Sequence, residues 1–436
     1  MVRSPPGDLP HSPVAGGACR KGIKGGVTTS SSRFSARPSR PEVARHIENL
    51  ASEVRQLSKA IHDNPETAFE EHLAADLLTT WLADHGFAVQ RPLGALETAF
   101  RATGGSGRGA GPRVAFLAEY DALPGIGHGC GHNLIAAGAL AAAASAAAAM
   151  PLLADQIVVI GTPGEEGGGG KALLLERGGF EGIDAALMFH PADRTIPWRH
   201  AKASIHLRVT FRGRAAHAAK NPEDGINALA AMIQFYVALD ALRAHLPPSS
   251  QVHGVIVHGG DAPNVIPERT VADFLVRGAT AGAAVDLLDR VNACAHGAAL
   301  ATGASVELTE TAPRYAERRN NLPLATRLAE HLVGQGLSVE EPSPDDPSGS
   351  SDVGNVSQRL PTIHPYLAIA PRGTPSHSAA FQQAAGSDEA LTATLAMASA
   401  LANTALDLLE DPAFFERVQM DFRTASTPAQ TPRATH

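Results

Sequence analysis

Cysteine is scarce: only Cys19, Cys130 and Cys294 occur in 436 residues. Three scattered thiols make no disulfide framework, which points to a reducing compartment and leaves each thiol free for other chemistry. No stretch approaches the roughly 20 apolar residues of a membrane-spanning helix. Nor does an apolar block follow the charged start, as it does in a secretory signal. A soluble, cytoplasmic protein with no membrane partner is the expectation. A basic surplus is missing as well. Lys and Arg number 36 against 44 Asp and Glu, a formal charge of −8, and no basic run stands out beyond the first 40 residues. That balance argues against nucleic acid as a partner and for a small molecule.

What is present is enough for a large core, with 44% hydrophobic residues in a chain long enough for two domains. Residues 1–40 are Pro-, Gly-, Ser- and Arg-rich with Asp8 as their single acid, and read as a disordered segment. The same composition fits an organelle transit peptide, an overlong start or a flexible tail. From Pro41, apolar residues at helical spacing (Ile47, Leu50, Val54, Leu57, Ile61, then Ala74, Leu77, Leu78, Leu82) predict two helices. Apolar runs at 113–118, 156–161 and 184–189 alternate with helices at about 134–150 and 171–178, the pattern of an α/β sheet with covered faces. Residues 204–211 then alternate like a half-exposed strand and open an α+β module with helices at 225–245 and 282–300. After about 314 the α/β character resumes. The expected divisions are 1–40 disordered, 41–202 and 314–412 a split catalytic domain, 203–313 an inserted domain, and 413–436 a tail.

The chemistry-bearing residues cluster where predicted strands end, as sites in α/β sheets do. After 113–118 stands EYDALPGIGHGCGHN at 119–133, with Asp121, His128, Cys130 and His132 on a Gly-rich loop. Thiolate and imidazole are the donors zinc prefers. After 156–161 comes GTPGEEGGGGK at 161–171. Adjacent Glu165 and Glu166 repel unless a cation lies between them or they take different roles, one as metal ligand and one as base for a water. A phosphate loop is excluded, because Glu stands at 165 where Gly is needed and Ala at 172 where Ser or Thr is needed. His190 closes the third strand, and His377 lies far downstream in GTPSHS at 373–378.

These segments, with FRGRAAHAAKNPEDGINAL at 211–229, HGGDAPNVIPE at 258–268 and SSDVGNVS at 350–357, resemble the aminoacylase/carboxypeptidase-G family of metallo-amidohydrolases. The likeness runs from about Pro41 to Leu409. It is strongest to the subgroup of p-aminobenzoyl-glutamate hydrolases, auxin-conjugate hydrolases and β-alanyl-lysine dipeptidase-like proteins. The resemblance implies a mixed-sheet, zinc-exopeptidase-like α/β catalytic domain with an inserted α+β dimerisation or lid domain. It implies two divalent ions, most simply Zn with Mn, Co or Ni as substitutes, on Cys130, His132, Glu166, His190 and His377, with Glu165 as general base. His217 would reach the active site of a partner in a homodimer and stabilise the oxyanion. Asn264 would contact substrate, and Arg372 and Gly373 would form the pocket for its carboxylate end. In one place the chain departs from the wider family: Glu119 stands where a His ligand is common, so Asp121 is expected to orient a ligand rather than complete a His-led set.

The implied reaction is hydrolysis of the amide bond of a small N-acyl amino acid or dipeptide-like substrate bearing a free carboxylate. Two readings compete: a catalytically silent metal-binding scaffold, and a metal-independent cysteine hydrolase with Cys130 as nucleophile and His128 or His132 as base.

Overall fold

The computed structural model describes residues 33–105, 111–343, 346 and 349–425. The chain enters through helices α1 (Pro41–Asp63) and α2 (His72–Asp84), then strands β1 (Ala88–Gln90), β2 (Phe100–Thr103) and β3 (Val114–Ala118). Helix α3 (His132–Ala149), β4 (Ile157–Gly161), α4 (Gly170–Glu176), β5 (Ala185–Leu187) and β6 (His190–Ala192) follow. A second layer of elements comprises β7 (Ala203–Arg212), α5 (Ala228–Arg243), β8 (Gln251–His258), β9 (Arg269–Gly278), α6 (Ala281–Thr302) and β10 (Ser305–Glu310). The chain then returns through α7 (Leu322–Gly334), α8 (Val353–Ser357), β11 (Thr362–Ile363), β12 (Tyr366–Ala368), α9 (Ala379–Ala385), α10 (Asp388–Glu410) and α11 (Pro412–Ala425).

Six strands form one mixed sheet in the order β1-β2-β4-β3-β5-β11. Its centre is parallel, and β2 runs antiparallel to β4 and β1. Period-two alternation covers both faces. Val114, Phe116, Ala118, Ile157 and Val159 pack into the main core with α1, α3 and α10, while Ala115, Leu117, Val158 and Ile160 pack against Leu174, Val353 and Val356 on the other face. This is the α/β architecture expected of the alternating pattern, and it leaves the loops after β3, β4 and β5 on one edge. A separate antiparallel sheet, β10-β7-β9-β8, backs onto α5 and α6 around its own core. Asn227 and Thr280 cap those helices through their side-chain oxygens.

Three expectations are corrected. Helices α3 and α10 are long and apolar enough to cross a membrane, but they are 83% and 78% buried inside the fold, so their apolar length serves the core. The segment read as disordered over 1–40 falls largely outside the described residues. Its end, however, is fastened: the Arg40 guanidinium donates to Asp407 at 2.8 Å and Glu410 at 2.7 Å, and the Arg37 backbone N–H donates to the Glu330 carbonyl. The tail expected from 413 begins instead as α11, because Phe414 and Val418, one turn apart, are buried against the main core. Residues 426–436 lie outside the described residues.

Candidate metal and catalytic centre

Parallel strands β3, β4 and β5 end side by side, so the loops at 119–131 and 162–169 and the residue His190 are delivered to one place. Gly131 turns the first loop into α3 with φ +77, and a Cβ there would stand 2.8 Å from Pro191 Cγ. Only glycine satisfies both demands. His132 is therefore the first residue of α3. His377 arrives from the segment after β12 with φ +60, a left-handed conformation uncommon outside glycine, and its N–H donates to the Gly129 carbonyl at 3.0 Å. That backbone strain is held in place by the loop it joins.

Among the described residues, three overlapping sets bring their donor atoms within 4.8 Å of one another: Cys130, His132 and His190; Cys130, Glu166 and His377; and His132, Glu165 and Glu166. Asp121 orients two of these residues. Its backbone oxygen and Oδ1 accept from His132 Nδ1 at 2.9 and 3.1 Å, and its Oδ2 accepts from the Glu166 N–H at 2.9 Å. His190 donates Nδ1 to its neighbour's carbonyl at 2.7 Å, so both histidines present Nε2. His132 Nε2 and Glu166 Oε1 are buried with no hydrogen-bond partner. Orphaned donor atoms on convergent Cys, His and Glu side chains suit a cation, and these residues can hold one.

The charge distribution supports the same fit. Burial, followed by the charges of Glu119, Glu166 and Asp352, pushes Glu165 well above the ordinary carboxyl range. Lys171 is wholly buried; its Nζ donates to Asp352 at 2.8 Å and ion-pairs with Glu119, and its backbone N–H donates to Asp352 Oδ2 at 2.8 Å. Glu119 Oε2 lies 3.6 Å from His132 Nε2. The Tyr315 hydroxyl donates to the Glu165 carbonyl at 2.9 Å, and Glu71, raised to about 7 by burial and then by Asp121, accepts from the Gly164 N–H. Burial also raises the Cys130 thiol, the opposite of what a free nucleophile requires. His128 is turned to the Ile61 carbonyl, and burial, then the His132 charge, lower it to about 3. A thiol that ligates a cation is deprotonated by it.

A cavity of about 700 Å³ opens onto the cluster, lined in part by Cys130, Glu165, Glu166, His190 and His377. The remaining sequence-predicted residues stand apart. His217 and Asn264 are exposed in the four-stranded-sheet region, joined by a hydrogen bond from the Ala218 N–H to the Asn264 carbonyl, and neither lines the cavity. Arg372 is exposed and paired with Glu340 at 3.2 Å, while the Gly373 N–H donates to Asp193. Thr374 and Ser376, just beyond, do line it. Sequence reasoning missed Lys171, Asp352, Tyr315, Arg199 and Arg318. For Lys171 the available signal was a lysine directly after a Gly-rich loop; the arginines lie in no motif.

Residues 199–301 match the family model of the peptidase dimerisation domain. The chain is 40% identical over 398 residues to the Xaa-Arg dipeptidase of Mus musculus, covering 87% of the chain and 91% of that protein. It is 32% identical over 291 residues to one of the p-aminobenzoyl-glutamate hydrolase chains of Escherichia coli, covering 61% and 60%. Among solved structures, an aminobenzoyl-glutamate utilization protein from Klebsiella pneumoniae superposes with a TM-score of 0.65 at 21% identity, over 85% of this chain and 99% of that one. A Bacillus subtilis dinuclear metal-binding peptidase of the M20 family superposes at 0.59 and 20% identity, over 83% and 99%.

Proposed function

The chain belongs to the M20 peptidase family and is a hydrolase of the amidohydrolase/peptidase type, and from that premise we propose that it cleaves the amide bond of small N-acyl amino acids or dipeptides bearing a free carboxylate. The observation that carries this reading is the convergence of Cys130, His132, Glu166, His190 and His377 around Glu165 at one cavity. Two divalent ions on those five side chains, zinc by preference of thiolate and imidazole, would polarise the amide carbonyl and acidify the attacking water. Glu165 takes the water's proton and returns it to the departing amine. Its affinity for a proton, raised first by burial and then by Glu119, Glu166 and Asp352, would be lowered by cations held beside it on Glu166 and His132. Asp121 keeps His132 in the tautomer that presents Nε2.

Homodimerisation belongs to the same reading. Strand β8 is a sheet edge exposing Val255, Ile256 and Val257, and α5 exposes Ile233 and Val237, apolar surface that a second copy would cover. His217, exposed on that region, would then donate to the oxyanion in the partner's cavity. Few cysteines and a free thiol at Cys130 support action in a reducing compartment such as the cytoplasm.

The test is hydrolysis of a panel of N-acetyl and aromatic-acyl amino acids and β-alanyl dipeptides by metal-loaded protein, with and without chelator. Chelator-sensitive cleavage is expected. Cleavage that survives chelation would favour a thiol enzyme, and bound metal with no cleavage across the panel would favour a silent scaffold.

A further inference from the structure

Between α1 and α2, the turn at 65–71 touches both loops that build the site. The Glu66 carbonyl accepts from the Ala122 N–H at 2.7 Å, and the Glu71 carboxylate accepts from the Gly164 N–H, one residue before Glu165, at 2.8 Å. Glu71 stands at the N-cap position of α2 but does not cap it. The Glu66 carboxylate does so instead, accepting from the Leu73 and Ala74 N–H groups at 2.9 Å each. Glu71 is thereby left to bond elsewhere. Its Oε1 takes the Gly164 and Phe69 N–H groups, and its Oε2 takes the Thr98 hydroxyl at 2.9 Å. The side chain is wholly buried and these donors are neutral, a costly setting for a carboxylate. Phe69, at φ +66, holds a left-handed conformation that a bulky residue rarely adopts. Its ring lies so close to the loop that a Cβ on Gly164 or Gly168 would stand 2.8 or 2.5 Å from it. Strain of this kind persists only where the surroundings enforce it, and it gathers at functional sites.

The other side of the loop is held by Tyr315. Its backbone exchanges hydrogen bonds with Ser204, at the start of β7, at 2.9 Å in each direction. The buried hydroxyl donates to the Glu165 carbonyl at 2.9 Å. The Gly167 N–H reaches the same carbonyl at 2.7 Å, but that bond closes only the local turn. Tyr315 ties the turn to a distant part of the chain. With the Asp121 bond to the Glu166 N–H, the backbone is gripped before, at and after Glu165. We propose that Glu71 and Tyr315 are positioning residues that clamp the Glu165 backbone from two sides and so set where its carboxylate stands in the cavity. They act through Glu165 and hold no proton of the reaction themselves. The proposal deepens the amide-hydrolase reading and rests on it for the task Glu165 performs; the clamp itself is a statement about the loop.

The experiment compares full-length, metal-loaded Tyr315→Phe, Glu71→Met and Glu71→Gln with the wild type. Two quantities are read: steady-state hydrolysis of whichever amide in the panel the wild type cleaves, and hydrogen exchange of the 162–169 segment by mass spectrometry. A misplacement of about 1 Å can lower a rate ~100-fold, so kcat should fall about 10-fold in Tyr315→Phe and roughly 10- to 100-fold in Glu71→Met. KM and bound metal should stay near wild type, since the substrate and the ions keep their contacts. Exchange in the segment should quicken about 10-fold in both variants, the worth of one hydrogen bond. Glu71→Gln should recover most of both effects, because its amide oxygen still accepts from Gly164 and its amide nitrogen can donate to Thr98. Unchanged exchange, a raised KM with kcat unchanged, or a Glu71→Gln protein as impaired as Glu71→Met overturns the clamp. If Glu71→Met does not fold, Tyr315→Phe decides by the same two readings. Faster exchange in these variants of a protein that cleaves no amide would keep the clamp and overturn the amide-hydrolase reading.

Discussion

Replacing Lys171 by Met isolates the buried charge beneath the site. The methylene stem keeps its packing, but Asp352 and Glu119, both wholly buried, lose the ammonium that faces them. Removing one partner from a buried ion pair costs ~3–5 kcal/mol. A stranded carboxylate can escape that cost by taking up a proton, which costs about 1.4 kcal/mol for each unit by which the pH exceeds its unfolded pKa near 4. The ceiling is thus roughly 4 kcal/mol per carboxylate at pH 7 and about 1.4 at pH 5. Burial already holds Asp352 up at about 6 despite the pull of Lys171. A carboxyl raised in the fold destabilises it as pH rises through the folded value, and without Lys171 that rise is larger. The loss in Lys171→Met should therefore be ~3–5 kcal/mol at pH 7.5 and should shrink toward pH 5, read by urea unfolding of metal-stripped protein. A loss under about 1 kcal/mol at pH 7.5, or one that grows as pH falls, would refute this reasoning.

Two further perturbations follow from the geometry. A Cβ on Gly170 would meet the Pro163 carbonyl oxygen at 1.7 Å, so Gly170→Ala must displace the loop carrying Glu165 and Glu166; a fall in kcat of about 100-fold is expected, with kcat near wild type contradicting it. For Asp407, burial works to raise the carboxyl, but His331, Arg327 and Arg40 outweigh it and hold the group far below its usual range. Its contribution is present above the unfolded pKa near 4 and is lost only as pH falls toward the much lower folded value, so Asp407→Asn should cost ~3 kcal/mol at pH 7 and still most of that at pH 3.5 in unfolding measurements, shrinking only in stronger acid.

The parts of the molecule legible in the sequence were those whose signal is local. Strands β3 and β4 announce themselves as apolar runs, and the ends of the runs mark the loops with Cys130, His132, Glu165 and Glu166. Strands β1 and β2, three and four residues long, carry too few positions for a period to register. Helix α11 escaped because its buried face is narrow and Pro- and Thr-rich sequence follows it. Lys171 shows the other limit. Its neighbours Glu119 and Asp352 lie 52 and 181 residues away, so a lysine that looks like loop punctuation is a buried counter-charge only once the sheet has closed. Arg199 and Arg318 likewise acquire meaning from Tyr366, which reaches them through β12.

The most direct measurement is metal content and turnover of Glu165→Gln side by side. Glu165 is assigned proton transfer and Glu166 ligation, so the variant should keep the wild-type complement of divalent ions while kcat falls by about 100- to 10,000-fold, the range expected for a lost general base. Loss of bound metal from Glu165→Gln, or turnover close to wild type, would contradict the assignment.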